Sequence, residues 1–347
     1  MKQKYLAKIG VTTLLFLILL NSVSAQKITV IQQGRPASLR GLCVVSDKIA
    51  WVSGSKGTVG LTKDAGKTWV WQQVKGFEQS DFRDIQAFSE KEAVIMSSGT
   101  PALILKTLDG GLNWQVKYRN RDTSVFFDAM DFNGKYGSIM ADPINGRFII
   151  FETEDKGKTW KQRDALKSPM ARDGEASFAA SGTCYSIFDN GLMKTDGLVL
   201  VSGGSTANLY YSLINAKKWL AQPLPIAHGT NSAGAFSFTS DGKHWVVVGG
   251  DYQHDQRTDS TVCYSTNSGK TWALAKISPG FQSCVQYLTG KIYISTGTSG
   301  TNISKDGGIT WTKIDATSYN VCGHHGKFIL FAGNGGKIGL YSEVKTK

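Results

Sequence analysis

The sequence predicts an all-β protein, a seven-bladed β-propeller, and three observations carry that reading. One octapeptide recurs six times: TKDAGKTW (62–69), TLDGGLNW (107–114), TEDKGKTW (153–160), STNSGKTW (265–272), SKDGGITW (304–311) and a worn copy, SLINAKKW (212–219). The closing tryptophans stand 39 to 59 residues apart, a period typical of repeat architectures. Four short β-rich segments separated by turn residues fill each period, with no long amphipathic helical pattern to compete with them.

The chain opens MKQKYLAKIGVTTLLFLILLNSVSAQ. Lys2, Lys4 and Lys8 precede an apolar run from Val11 to Leu20 that is short for a membrane span, and Val23, Ser24 and Ala25 supply small residues for cleavage. This pattern predicts a secretory signal peptide over 1–25, cut near Ala25, and an exported protein, periplasmic or extracellular. Gln26 in place of cysteine removes a lipoprotein acylation site. No later apolar stretch is long enough for a transmembrane helix. Residues 26–347 are therefore read as a single propeller domain, expected to be monomeric.

The first repeat reads SLRGLCVV, DKIAWVSGS, GTVGLTKD, KTWVWQQV, and the second matches it strand for strand as DFRDIQAF, EAVIMSSG, PALILKTLD, LNWQVKY. Four strands per unit is a propeller blade. Six octapeptides close six blades, at about 38–74, 81–117, 124–162, 174–222, 231–277 and 281–314. YNVCGHHGKFILFAGNGGKIGLYSEV offers three more strands, and KITVIQQ after the leader is a spare one. The N-terminal strand is expected to complete the seventh blade and so remove the exposed edges of an open ring.

The GKT within three octapeptides invites a phosphate-loop reading, which fails on spacing. That loop needs a glycine five residues before the one preceding lysine, where Leu61, Glu152 and Tyr264 stand. The octapeptide instead straddles the turn between third and fourth strands. Asp64, Asp109, Asp155, Asn267 and Asp306 are placed to accept turn N–H groups. Gly66 and its equivalents supply positive φ, and Trp69, Trp114, Trp160, Trp272 and Trp311 bury large rings between blades. In the worn copy Ile214 and Ala216 replace both turn residues, so a looser turn is expected there.

The octapeptide resembles the Asp-box, or bacterial neuraminidase repeat, S/T-x-D-x-G-x-T-W. In families that carry it the box sits on the propeller rim, which implies a structural role. Units such as WVSGSKGTVGLTKDAGKTW, with DFRDI, ADPINGRF, GEASFAASGT, VVVGGDYQ and TSGTNISKDGGITW, resemble the photosystem II stability/assembly factor family, in an exported bacterial branch. That resemblance covers nearly the whole mature chain and implies a chaperone-like binder of membrane-protein intermediates. It implies the fold far more strongly than an activity.

Removing the three leader lysines leaves 36 basic against 27 acidic residues, a net of +9, which favours acidic partners such as an envelope protein or an anionic glycan. The charges are dispersed, with no recognition helix or basic stripe, so nucleic acid is excluded. Cys43, Cys184, Cys263, Cys284 and Cys322 are an odd set in apolar surroundings (GLCVV, STVCYS, QSCVQY). Buried thiols fit this pattern, one bridge remains open, and the lack of CxxC removes zinc and redox motifs.

First strands line a propeller's channel. Counting two residues back from the first apolar core position of each blade gives Arg40, Arg83, Asp128, Gln282 and Asn320, with Glu175 beside Ala176 in blade 4 and Ser232 near Gly234 in blade 5. These are the candidate ligand residues, since a concavity with convergent polar groups is the default site. The plain alternative is a channel lining that satisfies itself. Asp128 and Glu175 also offer a carboxylate pair for glycoside hydrolysis. A third arginine and the Arg-Ile-Pro motif of sialidases are missing; Arg35-Pro36 is the nearest text. No cofactor is expected, since GxGxxG and haem or iron–sulfur spacings are absent. No metal site is expected either: His324 and His325 are adjacent on a strand and point to opposite faces, and the loop at 250–260 is read as solvated. The expected function is binding or scaffolding at the channel mouth, with a glycoside hydrolase using Asp128 and Glu175 as the alternative.

Overall fold

The computed structural model describes residues 24–188, 197–214 and 218–345. Seven antiparallel sheets follow one another in chain order. Blade 1 comprises Leu39–Val44, Ala50–Gly54, Thr58–Thr62 and Val70–Gln73. Blade 2 comprises Asp81–Ala87, Ala93–Ser98, Ala102–Thr107 and Gln115–Asn120. Blade 3 runs from Phe127–Asn133 through Tyr136–Ile144 and Arg147–Thr153 to Lys161–Gln162. Blade 4 is Tyr185–Phe188, Gly197–Val201, Asn208–Leu213 and Leu220–Pro223. Blade 5 is Thr230–Ser240, Trp245–Asp251, Val262–Ser265 and Ala273–Leu274. Blade 6 is Cys284–Thr289, Ile292–Gly297, Gly300–Ser304 and Thr312–Asp315.

Blade 7 joins Val321–His325, Phe328–Gly333 and Lys337–Lys345 to Ser24–Gln32. The spare N-terminal strand pairs antiparallel with the last one, Ile28 opposite Tyr341 and Thr29 opposite Leu340. The predicted leader lies outside the described residues apart from Ser24 and Ala25, the first residues of this strand. Cutting after Ala25 leaves Gln26–Gln32 to close the ring.

The burial pattern follows from the stacking of blades. The second and third strands of blade 2 are buried at every residue because a sheet covers each face, whereas its outer strand Gln115–Asn120 is largely exposed. Between blades 1 and 2, Trp51, Leu61, Ile85, Ile95 and Leu105 form one core, with Trp114 edge-on to Trp51 at 6.5 Å. Similar cores lie between the other blades.

The five good octapeptides form one turn. Thr62 Oγ1 donates to Asp64 Oδ1 and accepts from Gly66 N–H at 2.9 Å, and Thr68 N–H donates to the same Asp64 oxygen at 2.9 Å. Asp109, Asp155, Asn267 and Asp306 repeat these bonds with their own partners. Gly66 takes φ +83°, as the sequence requires. In the worn copy, residues 215–217, Ala216 among them, lie outside the described residues. The remainder of that turn is held by Ser212 Oγ on the Lys218 carbonyl.

One boundary differs from expectation. Blade 4 starts at Tyr185 rather than near 174. Glu175–Ala176 is a two-residue strand that pairs with Gly203–Gly204, which in turn pairs with the first strand of blade 5. The misreading arose because EASF carries a strand-like alternation while belonging to a connecting segment.

Candidate functional site

The inner strands share a local device. A register shift falls between Leu39 and Gly41, between Phe82 and Asp84, between Phe127 and Ala129, and between Ala235 and Ser237. The unpaired residues are Arg40, Arg83, Asp128 and Phe236. A bulge re-aims the side chain it leaves unpaired, so four blades direct one inner-strand residue each out of the ladder.

The channel is not open from end to end. The connection before blade 4, residues 177–183 (SFAASGT), passes through it and is fastened to the walls. Arg40 Nη1 donates to the Ala180 carbonyl at 3.2 Å and Arg83 Nη1 to the Ala179 carbonyl at 3.5 Å. Ser181 Oγ donates to the Ser283 carbonyl, and Thr183 Oγ1 to Ser237 Oγ. Phe178 stacks on Phe236 with centroids 3.9 Å apart. Gly182, at φ +71°, lies against the Asp84 carboxylate where a Cβ would collide. The small residues of this plug are what allow it to fit.

Two concavities result. One, of about 400 Å³, is lined by Arg40, Arg83, Phe126, Phe236, Tyr252 and Phe281, with Asn320 and Asn334 at its side. The other, of about 290 Å³, is lined by Asp84, Asp131, Gln86, Gln286, Tyr185 and Ser186.

The first concavity is cationic. Arg83 Nε bonds Asp81 at 2.7 Å and its guanidinium lies over the Phe126 ring. Burial and the neighbouring Arg83 charge both lower the Arg40 pKa, partly offset by Asp81. A guanidinium carries five N–H donors. Arg40 spends one and Arg83 two on the protein, so the rest have no acceptor among the described residues. The second concavity is acidic. Asp84 accepts from Ile85 and Met130 N–H groups, and Asp131 from Phe132 and Ile187 N–H groups and Ser186. Burial outweighs those bonds, raising Asp84 well above the usual carboxylate range and Asp131 to about 6.

Of the six predicted ligand residues, the structure gathers Arg40, Arg83 and Asn320 at one mouth. Asn320 is tied up there, its amide donating to the Leu39 carbonyl, Ser38 and Asn334. Gln282 is fully buried, its amide spent on Ser299, Ser295 and the Phe281 carbonyl, so it does not reach the mouth. Glu175 is buried elsewhere, accepting from Ser202, Asn208, Tyr210 and the Arg172 N–H. Asp128 is fully buried with neither oxygen bonded. Burial, then the Asp142 charge, raise it well above the usual range despite Arg83. Neither Asp128 nor Glu175 lines either concavity, so the pair has no open space to flank as a glycosidase pair does.

Sequence reasoning missed the aromatic wall and the plug. Counting by apolar residues selected Gly234 in blade 5, two positions short of the bulged Phe236. The run of small residues in SFAASGT was the visible signal for the plug. In the loop at 250–260, Asp251 caps the Gln253 N–H and bonds His254 at 2.7 Å, and Arg257 pairs with Asp259. His324 and His325 bond separate partners, the Tyr287 carbonyl and Asp47.

Fold and turns together define an Asp-box β-propeller. The chain resembles the photosystem II stability/assembly factor family: the family model "Photosynthesis system II assembly factor YCF48" matches residues 70–173, and the BNR/Asp-box repeat matches 303–313. The photosystem II stability/assembly factor HCF136 of Oryza sativa subsp. japonica is 23% identical over 203 residues, 57% of this chain and 47% of that protein. The chain thus spans about half the length of the curated relatives it matches. The solved structure of YCF48 bound to a D1 peptide superposes with a TM-score of 0.63 at 18% identity, over 90% of this chain and 96% of that one. Virginiamycin B lyase from Staphylococcus aureus reaches 0.65 at 13% identity, over 91% and 99%. Likeness at this level speaks to the fold alone.

Proposed function

We propose that this chain is an exported binding protein of the cell envelope, which captures an extended anionic segment of a partner protein at the Arg40/Arg83 mouth in the manner of an assembly factor. The observation that carries the reading is the pair of guanidiniums with unspent donors facing a cavity of about 400 Å³ walled by Phe126, Phe236, Tyr252 and Phe281. Arginine forks favour carboxylates, and aromatic walls supply area at low entropy cost. The peptide-bound propeller among the structural relatives supports a protein ligand over a glycan. Among the described residues no helix is long and apolar enough to cross a membrane. A monomer suffices, because one chain supplies the whole mouth.

The test is crosslinking in the envelope of an exporting host, with a photoreactive residue at Tyr252, beside the Arg40→Ala/Arg83→Ala double variant. Protein adducts that vanish in a double variant that still folds cooperatively are expected, with a lower melting temperature from the two lost plug contacts. Adducts that persist in it, or none at all, sink the proposal. A panel of fluorogenic glycosides run on the same protein is expected to show no turnover, since no observation brings Asp128 and Glu175 together.

A further inference from the structure

The five cysteines are not equivalent in space. Cys284 begins the inner strand of blade 6 and Cys322 lies in the inner strand of blade 7. The Cys322 thiol donates to Cys284 Sγ with the sulfurs 3.6 Å apart, and Cys284 Sγ also sits 3.4 Å from the Cys322 carbonyl oxygen. Thr183 Oγ1, at the end of the plug, lies 3.8 Å from Cys284 Sγ on the other side. Among the described residues no other cysteine sulfur is hydrogen-bonded to a second one. Cys43 bonds the Ala87 backbone, and Cys184 and Cys263 are packed in the apolar core of blades 3 to 5.

We propose that Cys284 and Cys322 are a disulfide-forming pair that staples blade 6 to blade 7 beneath the plug, leaving Cys43, Cys184 and Cys263 as thiols. The odd cysteine count then resolves into one bridge and three buried thiols. The co-reactant is a disulfide, either of the glutathione type or on a protein. The Cys284 thiolate attacks one of its sulfurs and expels the first thiolate. Cys322, deprotonated in turn, attacks Cys284 Sγ and expels the second. Two thiols lose two protons and two electrons, and one external disulfide becomes two thiols. Both sulfurs are buried, so the exchange belongs to folding, as blade 7 docks and brings Cys322 to Cys284.

Defined redox buffers test the pair wherever the protein resides. The mature chain, residues 26–347, is unfolded, reduced, and refolded with oxidised and reduced glutathione. It is then alkylated in denaturant without reductant and analysed by intact mass and peptide mapping. Three alkylated cysteines rather than five, a mass about 2 Da lower than the reduced chain before alkylation, and one Cys284–Cys322 cross-linked peptide are expected. Cys184→Ser should keep the cross-link, and Cys322→Ser should lose it and carry four alkylated thiols. Five alkylated thiols in the wild-type chain, or a cross-link between any other pair, overturns the proposal.

Discussion

Asp84 in blade 2 accepts a hydrogen bond from the backbone N–H of Met130 in blade 3, at 2.7 Å. The same stitch recurs around the channel: Asp131 takes the Ile187 N–H, Ser237 the Val285 N–H and Cys43 the Ala87 N–H. The inner strands of neighbouring blades are thus joined by side chain to main chain, and two of the joints are carboxyls, buried at Asp84 and half-buried at Asp131.

A pH dependence follows. Burial raises Asp84, Asp128, Asp131 and Asp142. A raised carboxyl keeps its proton in the folded state after the unfolded chain has lost it, so stability falls as pH climbs from the unfolded value toward the folded one. Asp131, at about 6, contributes roughly 3 kcal/mol of that fall between about pH 4 and pH 7. Unfolding midpoints in urea are expected to be higher near pH 5 than near pH 8. An equal midpoint at both would refute the assignment.

At the acid end the octapeptide turns act in the opposite sense. Burial pushes Asp155 up, but bonds from Thr159 and Thr153 outweigh it and bring the carboxyl to about 2. Its stabilisation is present above the unfolded pKa and lost as pH falls from there through about 2. Replacing Asp306 with alanine removes acceptors for Ile309 and Thr310 N–H groups and for two hydroxyls. A cost of about 1–2 kcal/mol is expected, read from the urea midpoint, with binding at the mouth unaffected.

The two carboxyls once paired for catalysis should respond oppositely to amide substitution. Glu175→Gln turns an acceptor into a donor that faces Tyr210 or the Arg172 N–H, at a cost of about 1–3 kcal/mol. Asp128→Asn removes a carboxyl with no bonded oxygen and should be neutral near pH 5 and stabilising near pH 8. Melting curves of both variants at the two pH values decide this.

The plug gives a fourth test. Gly182→Ala places a methyl against the Asp84 carboxylate at a positive φ, so a loss of about 1–3 kcal/mol is expected. Gly134→Ala, at a positive φ with open space around the added methyl, serves as the control. A Gly182→Ala protein as stable as wild type would mean the plug sits elsewhere.

Most of the ring was readable because its determinants are local. The octapeptide encodes its turn within eight residues, and its tryptophan marks a blade boundary wherever it occurs. The closing strand KITVIQQ was recoverable by elimination, being the single unassigned β segment. The site was only half readable. Arg40 and Arg83 emerged because each precedes a strand core by a fixed offset, which the bulges explain. Phe236 did not, since its bulge lies deeper in the longer first strand of blade 5. The burial of Gln282 and the bonds to Glu175 depend on residues far away in sequence, as does the path of 177–183, and no local pattern announces them.

Ile28 pairs with Tyr341, so the ring is completed by one of the longest-range contacts the chain can make. Such pairing carries the full entropy of closing the intervening chain and comes late in folding. Until it forms, the last strand offers an unprotected edge, and the apolar faces of blades 6 and 1 await their cover. The interval between synthesis of residue 32 and of residue 345 is therefore when the molecule is most open to mispairing with another copy of itself. Mutations that speed or slow closure would alter the yield of folded protein while leaving the finished ring unchanged.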